Sequence, residues 1–218
     1  MIEVIKKGLE TSVQDYPGRV GFLNQGFPPS GPMDSWSFRL ANLLVSNNPN
    51  EGALECQFMG PSLKFESEHV IAICGADMQP KVDGQSIPLW ESILVKAGQV
   101  LELNFCLNGA RTYIAFSGGI DIPSWLNSKS TFHKAGVGGV DGHAIQEGQK
   151  ISLGLAWLGL VWLGLALAWP WPWLWPRLGP GLAPAPWSQV APWSHMASWS
   201  QVAPWSQVAP WPQVAPNL

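Results

Sequence analysis

Charge is scarce in this sequence and almost disappears from its final stretch. Of the 12 basic and 15 acidic residues, only Arg177 lies beyond Gly154, whereas 11 of the 14 tryptophans do. A net charge of −3 offers no basic surface for a polyanion, so nucleic acid is not an expected partner. Cysteine is equally sparse. Cys56, Cys74 and Cys106 form no CxxC pair, and His69, His133, His143 and His195 stand at no metal-ligand spacing from them. No disulfide framework and no structural metal are expected, and the thiols read as buried and reduced in the cytoplasm. The start, Met1 to Lys7, lacks the apolar core of a secretory leader.

The break in charge divides the chain into residues 1–154 and a tail, 155–218. Within the tail, WSQVAP-type units recur from Trp187 onward, with a proline in nearly every one. Proline on that period excludes a long helix, and six residues per unit match no solenoid packing. The tail therefore reads as low-complexity sequence without a packed fold, of the kind a frameshift or fusion produces. The alternative is a membrane anchor, since Leu153 to Trp169 carries no charge and approaches the length of a spanning helix.

What residues 1–154 do contain is a series of short β-prone runs separated by glycine, proline and aspartate turns. Strands are expected at 1–5, 20–23, 54–58, 62–65, 70–74, 93–95, 100–105 and 111–116, with turns at Asp83-Gly84, Ala97-Gly98, Asn108-Gly109 and Glu147-Gly148-Gln149. Val70 to Cys74 is continuously apolar, which suits a strand covered on both faces. A mainly β barrel or sandwich follows, with one short helix near residues 34–46. Asp34 or Ser35 caps that helix, Asn47-Asn48-Pro49 ends it, and Trp36, Leu40, Leu43 and Leu44 form its expected inner face, with Phe38 and Val45 at its margins.

The densest chemistry lies in Thr11 to Gly60. It contains QDYPGR at 14–19, GFPPSGPMD at 26–34, Ala41-Asn42 on the helix, and LECQFMGPSLKF at 54–65. This ordered set resembles the carboxyltransferase module of urea carboxylase, which also stands alone as the C-type subunit of bacterial 5-oxoprolinase and as subunit 2 of the allophanate-hydrolase-type pair. The resemblance covers about residues 2–154, roughly the first half of that module. It implies a cyclophilin-like β-barrel, here truncated, and an enzyme subunit acting on a urea or cyclic amide carbonyl. It also implies biotin carried on another chain or domain, or ATP handled by the complex. A cognate partner is implied too, of the B-type in 5-oxoprolinase or the subunit 1 type in the allophanate-hydrolase pair. The sequence itself carries no GxxxxGK[ST] loop and no biotin-attachment sequence. Two other readings stand beside this one. The first is a non-catalytic module that docks on its partner. The second is an incomplete product whose open strand edge and uncovered apolar surface invite aggregation.

Chemistry on an amide carbonyl needs donors or cations aimed at the developing oxyanion and a group that manages the nitrogen proton. The catalytic candidates are Arg19, Asp15, Gln14 and Asp34. Arg19 reads either as a fork for a carboxylate or ureido oxygen, or as a surface arginine paired with Asp15 or Glu10. Asp15 reads either as a substrate-orienting group or as a partner of the turn that follows it. The loop before the helix brings Ser30, Gly31 and Asp34 to a helix N-terminus, where an anion is favoured; the same residues also suit a stiff corner with Asp34 as a cap. Further substrate-binding candidates are Asn42, Asp77, Ser117, Gly118, Gly119 and Ser130, the last within Ser128-Lys129-Ser130-Thr131. His133 and His143 read as surface residues.

Overall fold

The computed structural model describes residues 1–155 and builds them from eleven strands and one α-helix. The strands are β1 (Ile2–Lys6), β2 (Glu10–Gln14), β3 (Ala53–Gln57), β4 (Ser62–Phe65), β5 (His69–Gly75), β6 (Lys81–Val82), β7 (Gln85–Ser86), β8 (Ser92–Val95), β9 (Val100–Glu102), β10 (Arg111–Phe116) and β11 (Lys150–Ile151). The helix, α1, spans Ser35–Leu44. One sheet has the order β11-β1-β4-β9-β6-β7 and the other β2-β3-β10-β5-β8, with antiparallel pairing throughout. The chain is mainly β, as expected, but neither sheet closes on itself among the described residues. Expectations for the tail repeats, and for all but residues 153–155 of the apolar run, lie outside the described residues. Among those described, no helix is long and apolar enough to cross a membrane.

Alternation along the strands builds two layers of core. Ile114 and Phe116 of β10, Ile71 and Ile73 of β5, and Leu54 of β3 face the first sheet, where Ile2, Val4, Leu63, Phe65 and Leu101 meet them. The intervening residues, Ala53, Ala72, Cys74, Tyr113 and Ala115, form the opposite face under α1. Most are small, so the helix packs closely, setting Phe38, Ala41 and Val45 onto them. The Phe38 ring meets Tyr113 edge-on, 5.7 Å between centroids.

The buried stripe is rotated from the one its apolar spacing suggested: Phe38 and Val45 move from its margin to its centre, while Leu40 and Leu44 pack against the sheet only in part. Trp36 is 74% exposed and Leu43 54%, whereas Phe38 and Ala41 are fully covered. The helix is apolar on two sides, and the small-residue sheet surface selects the one carrying Phe38. Phe38→Ala is expected to cost about 3–5 kcal/mol of stability, while Trp36→Ala changes it by about 0.5 kcal/mol or less. Paired denaturation curves test this directly, and a larger loss at Trp36 would reverse the assignment.

Other local expectations also change. No strand forms at 20–23; Val20 and Leu23 are exposed, and a 3-10 turn occupies Leu23–Gln25. A strand forms instead at β2, where all of Thr11 to Gln14 is buried and the polar Thr11 shares the side of Val13, which hides the alternation. The run 100–105 is a strand only over β9. β8 and β9 do not pair with one another: β8 joins β5, and β9 joins β4 and β6. Asp83-Gly84 does close the β6–β7 hairpin, both residues at positive φ as a tight turn requires.

Candidate functional site

The register of the second sheet gathers most of the chemistry at one end. Gln14 lies opposite Ala53, and Phe116 opposite Ile71, so the end of β2, the start of β3 and the end of β10 adjoin. Asp77 follows the far end of β5, beside Arg111 and Gln57. It accepts from the amide of Gln79 at 2.7 Å and stands apart from the other candidates.

Asp15 is the hub of the gathered end. One carboxylate oxygen accepts from the Ser128 hydroxyl at 2.6 Å and from the Ser130 amide and hydroxyl; the other accepts from the Lys129 amide at 2.8 Å. Asp15 thus holds a loop more than a hundred residues away, not the turn that follows it. The Lys129 ammonium bonds the Glu51 carboxylate at 2.6 Å and the Ile120 carbonyl at 2.8 Å. Asp15, Glu51 and Lys129, with Asn48, Asn50, Gly52 and Ser124, line a polar cleft of about 210 Å³. Asn48 and Glu51 also border an adjoining hollow of about 510 Å³ that reaches Gly118 and Asp121.

Arg19 is neither a surface arginine nor paired with Asp15 or Glu10. It is fully buried, stacked over the Trp125 ring at 4.8 Å, and donates to the carbonyls of Ser130 at 2.8 Å and Trp125 at 3.4 Å. Burial lowers its pKa, partly offset by the nearby Asp15 charge. One of its terminal nitrogens, Nη1, has no partner among the described residues. Gln14 braces the proline-rich loop: its Oε1 accepts from the Gly31 amide at 3.1 Å, and its Nε2 donates to Ser12 at 3.0 Å. Ser30 and Gly31 both adopt positive φ, and the loop packs on the turn after Asp15, which contains the cis Tyr16–Pro17 bond. Asp34 acts as the helix cap, accepting from the amides of Trp36 at 3.0 Å and Ser37 at 3.1 Å and from the Ser37 hydroxyl. With those amides engaged, this helix end is not an open anion seat.

Asn42 is buried and structural. It donates to the Glu51 carbonyl at 3.0 Å and accepts from Asn47, which in turn receives the Gly118 amide at 2.9 Å. Through that chain the Ser117-Gly118-Gly119 corner is tied to the end of α1, and Gly119 leaves room for the Glu51 side chain against it. His133 pairs with Glu10 at 3.4 Å on the surface. Three participants escaped the sequence reading: Glu51, Glu55 and Tyr113. Only Lys129 had a signal, as the basic residue in its serine-rich loop. Cys56 and Cys74 are free thiols that burial pushes up to about 12, which removes them as nucleophiles at neutral pH.

Residues 25–158 match the family model described as carboxyltransferase domain, subdomain A and B. Over 152 residues the chain is 45% identical to urea amidolyase of Saccharomyces cerevisiae, covering 70% of this chain and 8% of that one. It is 36% identical over 154 residues to the C-type subunit of 5-oxoprolinase from Escherichia coli, covering 71% of this chain and 49% of that one. The solved urea carboxylase of Kluyveromyces lactis superposes with a TM-score of 0.69 at 45% identity, over 70% of this chain and 14% of that one. The chain thus spans about half the length of the bacterial relative and a small part of the fungal enzymes.

Proposed function

The chain belongs to the carboxyltransferase-domain family, subdomains A and B, and from that premise we propose that it supplies one wall of a site acting on a urea or cyclic amide carbonyl. The observation that carries this reading is the polar cleft in which Lys129 is the only cationic lining residue among the described ones. Charge that develops on a carbonyl oxygen is stabilised by a fixed cation or amide aimed at it, and Lys129 is held in place by Glu51 and Ile120. Asn48, Asn50 and Ser124 add both donors and acceptors, a set suited to a ureido or carboxamide group.

Biotin carried on another chain or domain would supply the carboxyl group, whereas ATP bound elsewhere in the complex would supply activation for ring opening. The cleft lining fits the ureido end of the former and has no apolar wall for its aliphatic arm. A cognate partner chain or domain is part of the proposal, because the relatives are one component of a bacterial enzyme and a fraction of a fungal one. So is a cytoplasmic location, consistent with three free thiols.

The test assembles the full chain with its cognate partners. It assays urea-dependent discharge of a carboxylated biotin carrier and ATP-dependent cleavage of 5-oxoproline. One activity is expected, and Lys129→Met is expected to lower it by about a hundredfold or more. Absence of both activities from the assembled complex would overturn the reading. A partner-docking role is the second reading, favoured by the full internal engagement of Asp15. It predicts partner capture without either activity.

A further inference from the structure

We propose that Glu55 and Tyr113 are positioning residues that hold the Ser30-Gly31 loop in a donor geometry, an inference that rests on the amide-carbonyl function proposed above. The register lines up Ser12, Glu55 and Tyr113 across β2, β3 and β10, in a row on the helix side of the sheet. Glu55 is 7% exposed. Its Oε2 accepts from the Met33 amide at 2.8 Å and from the Tyr113 hydroxyl at 2.9 Å, and its Oε1 stands 3.3 Å from Arg111 Nη1. The Tyr113 hydroxyl in turn accepts the Asp34 amide at 2.7 Å. Burial beside the Glu55 charge pushes the Tyr113 pKa up, so the phenol keeps the proton it donates.

The consequence lies in the backbone of the loop. Gly31 donates to Gln14, Met33 to Glu55 and Asp34 to Tyr113, and Pro32 has no amide hydrogen. Ser30 alone in this stretch keeps both its amide and its hydroxyl without a partner among the described residues, at a φ of 57°. Three side chains from three adjacent strands thus fix the loop and leave one residue's donors unpaired among the described residues. Donors fixed before the reaction need no reorganisation when an oxyanion forms, which is where their catalytic value lies. A carboxylate is required at position 55 because both Met33 and Tyr113 donate to it while Arg111 supplies the compensating charge. Both donate to the same oxygen, so a carboxamide presents them with a neutral, weaker acceptor and turns its N–H₂ group toward the Arg111 guanidinium, itself a donor.

The experiment has two arms. In the chain alone, amide exchange is followed residue by residue in the wild type, Tyr113→Phe and Glu55→Gln. Protection is expected to fall at Asp34 in the first variant and at Met33 in the second, while β5 and β10 stay protected. Unchanged exchange at both amides would overturn the proposal, and if Tyr113→Phe fails to fold, Glu55→Gln carries this arm alone. In the assembled complex, both variants are expected to lower kcat about tenfold to a hundredfold, with KM within about twofold. A lost Asp34 bond with unchanged kcat would overturn the catalytic part. Wild-type inactivity would instead overturn the function reading, leaving exchange to decide whether the row holds the loop.

Discussion

Asp15→Ala lowers the free energy of unfolding by about 3–5 kcal/mol, because several donors lose a charged acceptor at once. The hydroxyls of Ser128 and Ser130 and the amides of Lys129 and Ser130 all converge on that carboxylate. Ser128 and Ser130 are fully buried, so water does not readily replace the lost partner. Asp15→Asn recovers little, since its amide nitrogen meets donors where an oxygen accepted them. Asp121→Ala is the control: that side chain is exposed and makes no hydrogen bond among the described residues, so its expected change is about 0.5 kcal/mol or less. Guanidinium denaturation of the three variants decides the matter. A loss under about 1 kcal/mol for Asp15→Ala would mean that the 128–131 loop is held elsewhere.

Gly18→Ala is expected to be nearly as costly, at about 2–4 kcal/mol, from two separable causes. Gly18 has a φ of +83°, and an added Cβ would fall inside contact distance of the Pro29 carbonyl oxygen, 3.0 Å from the Ser30 carbonyl carbon and 3.1 Å from the Gly31 amide. All three are main-chain atoms and have no rotamer to change. Gly84 separates the causes, because its φ is +80° while nothing lies within 4 Å of the same Cβ. Gly84→Ala therefore carries the conformational cost alone, about 1–2 kcal/mol. If the two alanine variants unfold at the same denaturant concentration, the packing of the QDYPGR turn against the PPSGP loop is not what fixes that corner.

The two glycine sites also mark how far the sequence was legible. Local patterns were read well: the strand near 54–58, the continuous apolar run of β5, the limits of β10, and the Asp34 cap all depend on neighbours a few residues away. Long-range choices were not. The helix offers two apolar sides, and only the alanines at 53, 72 and 115 decide that Phe38 goes in. Asp83-Gly84 makes a hairpin and Asn108-Gly109 does not, because β10 is claimed by β3 and β5. Gln14, Asp15 and Ser130 were named from motifs, yet their roles lie in bonds that cross more than a hundred residues or bridge separate loops. Glu55 and Tyr113 carry no motif at all; only strand register makes them neighbours. Asp77 lies at the other end of the sheet, which was hidden for the same reason, since the order of residues gives no sign of which end of a sheet a loop occupies.

Register has a last consequence, for how the domain is made. Ile2 pairs with Ile151, so β1 finds one of its two neighbours only when β11 has left the ribosome. Its other neighbour, β4, is available some sixty residues after it, but β4 needs β9, and β3 needs β10. Almost no strand pair except β6–β7 can complete from adjacent sequence. Such interleaving gives a high contact order and places folding in the slow range, about milliseconds to seconds. During translation β1 therefore keeps one edge unpaired until residue 151 appears, whereas β5 has both its neighbours, β8 and β10, by residue 116.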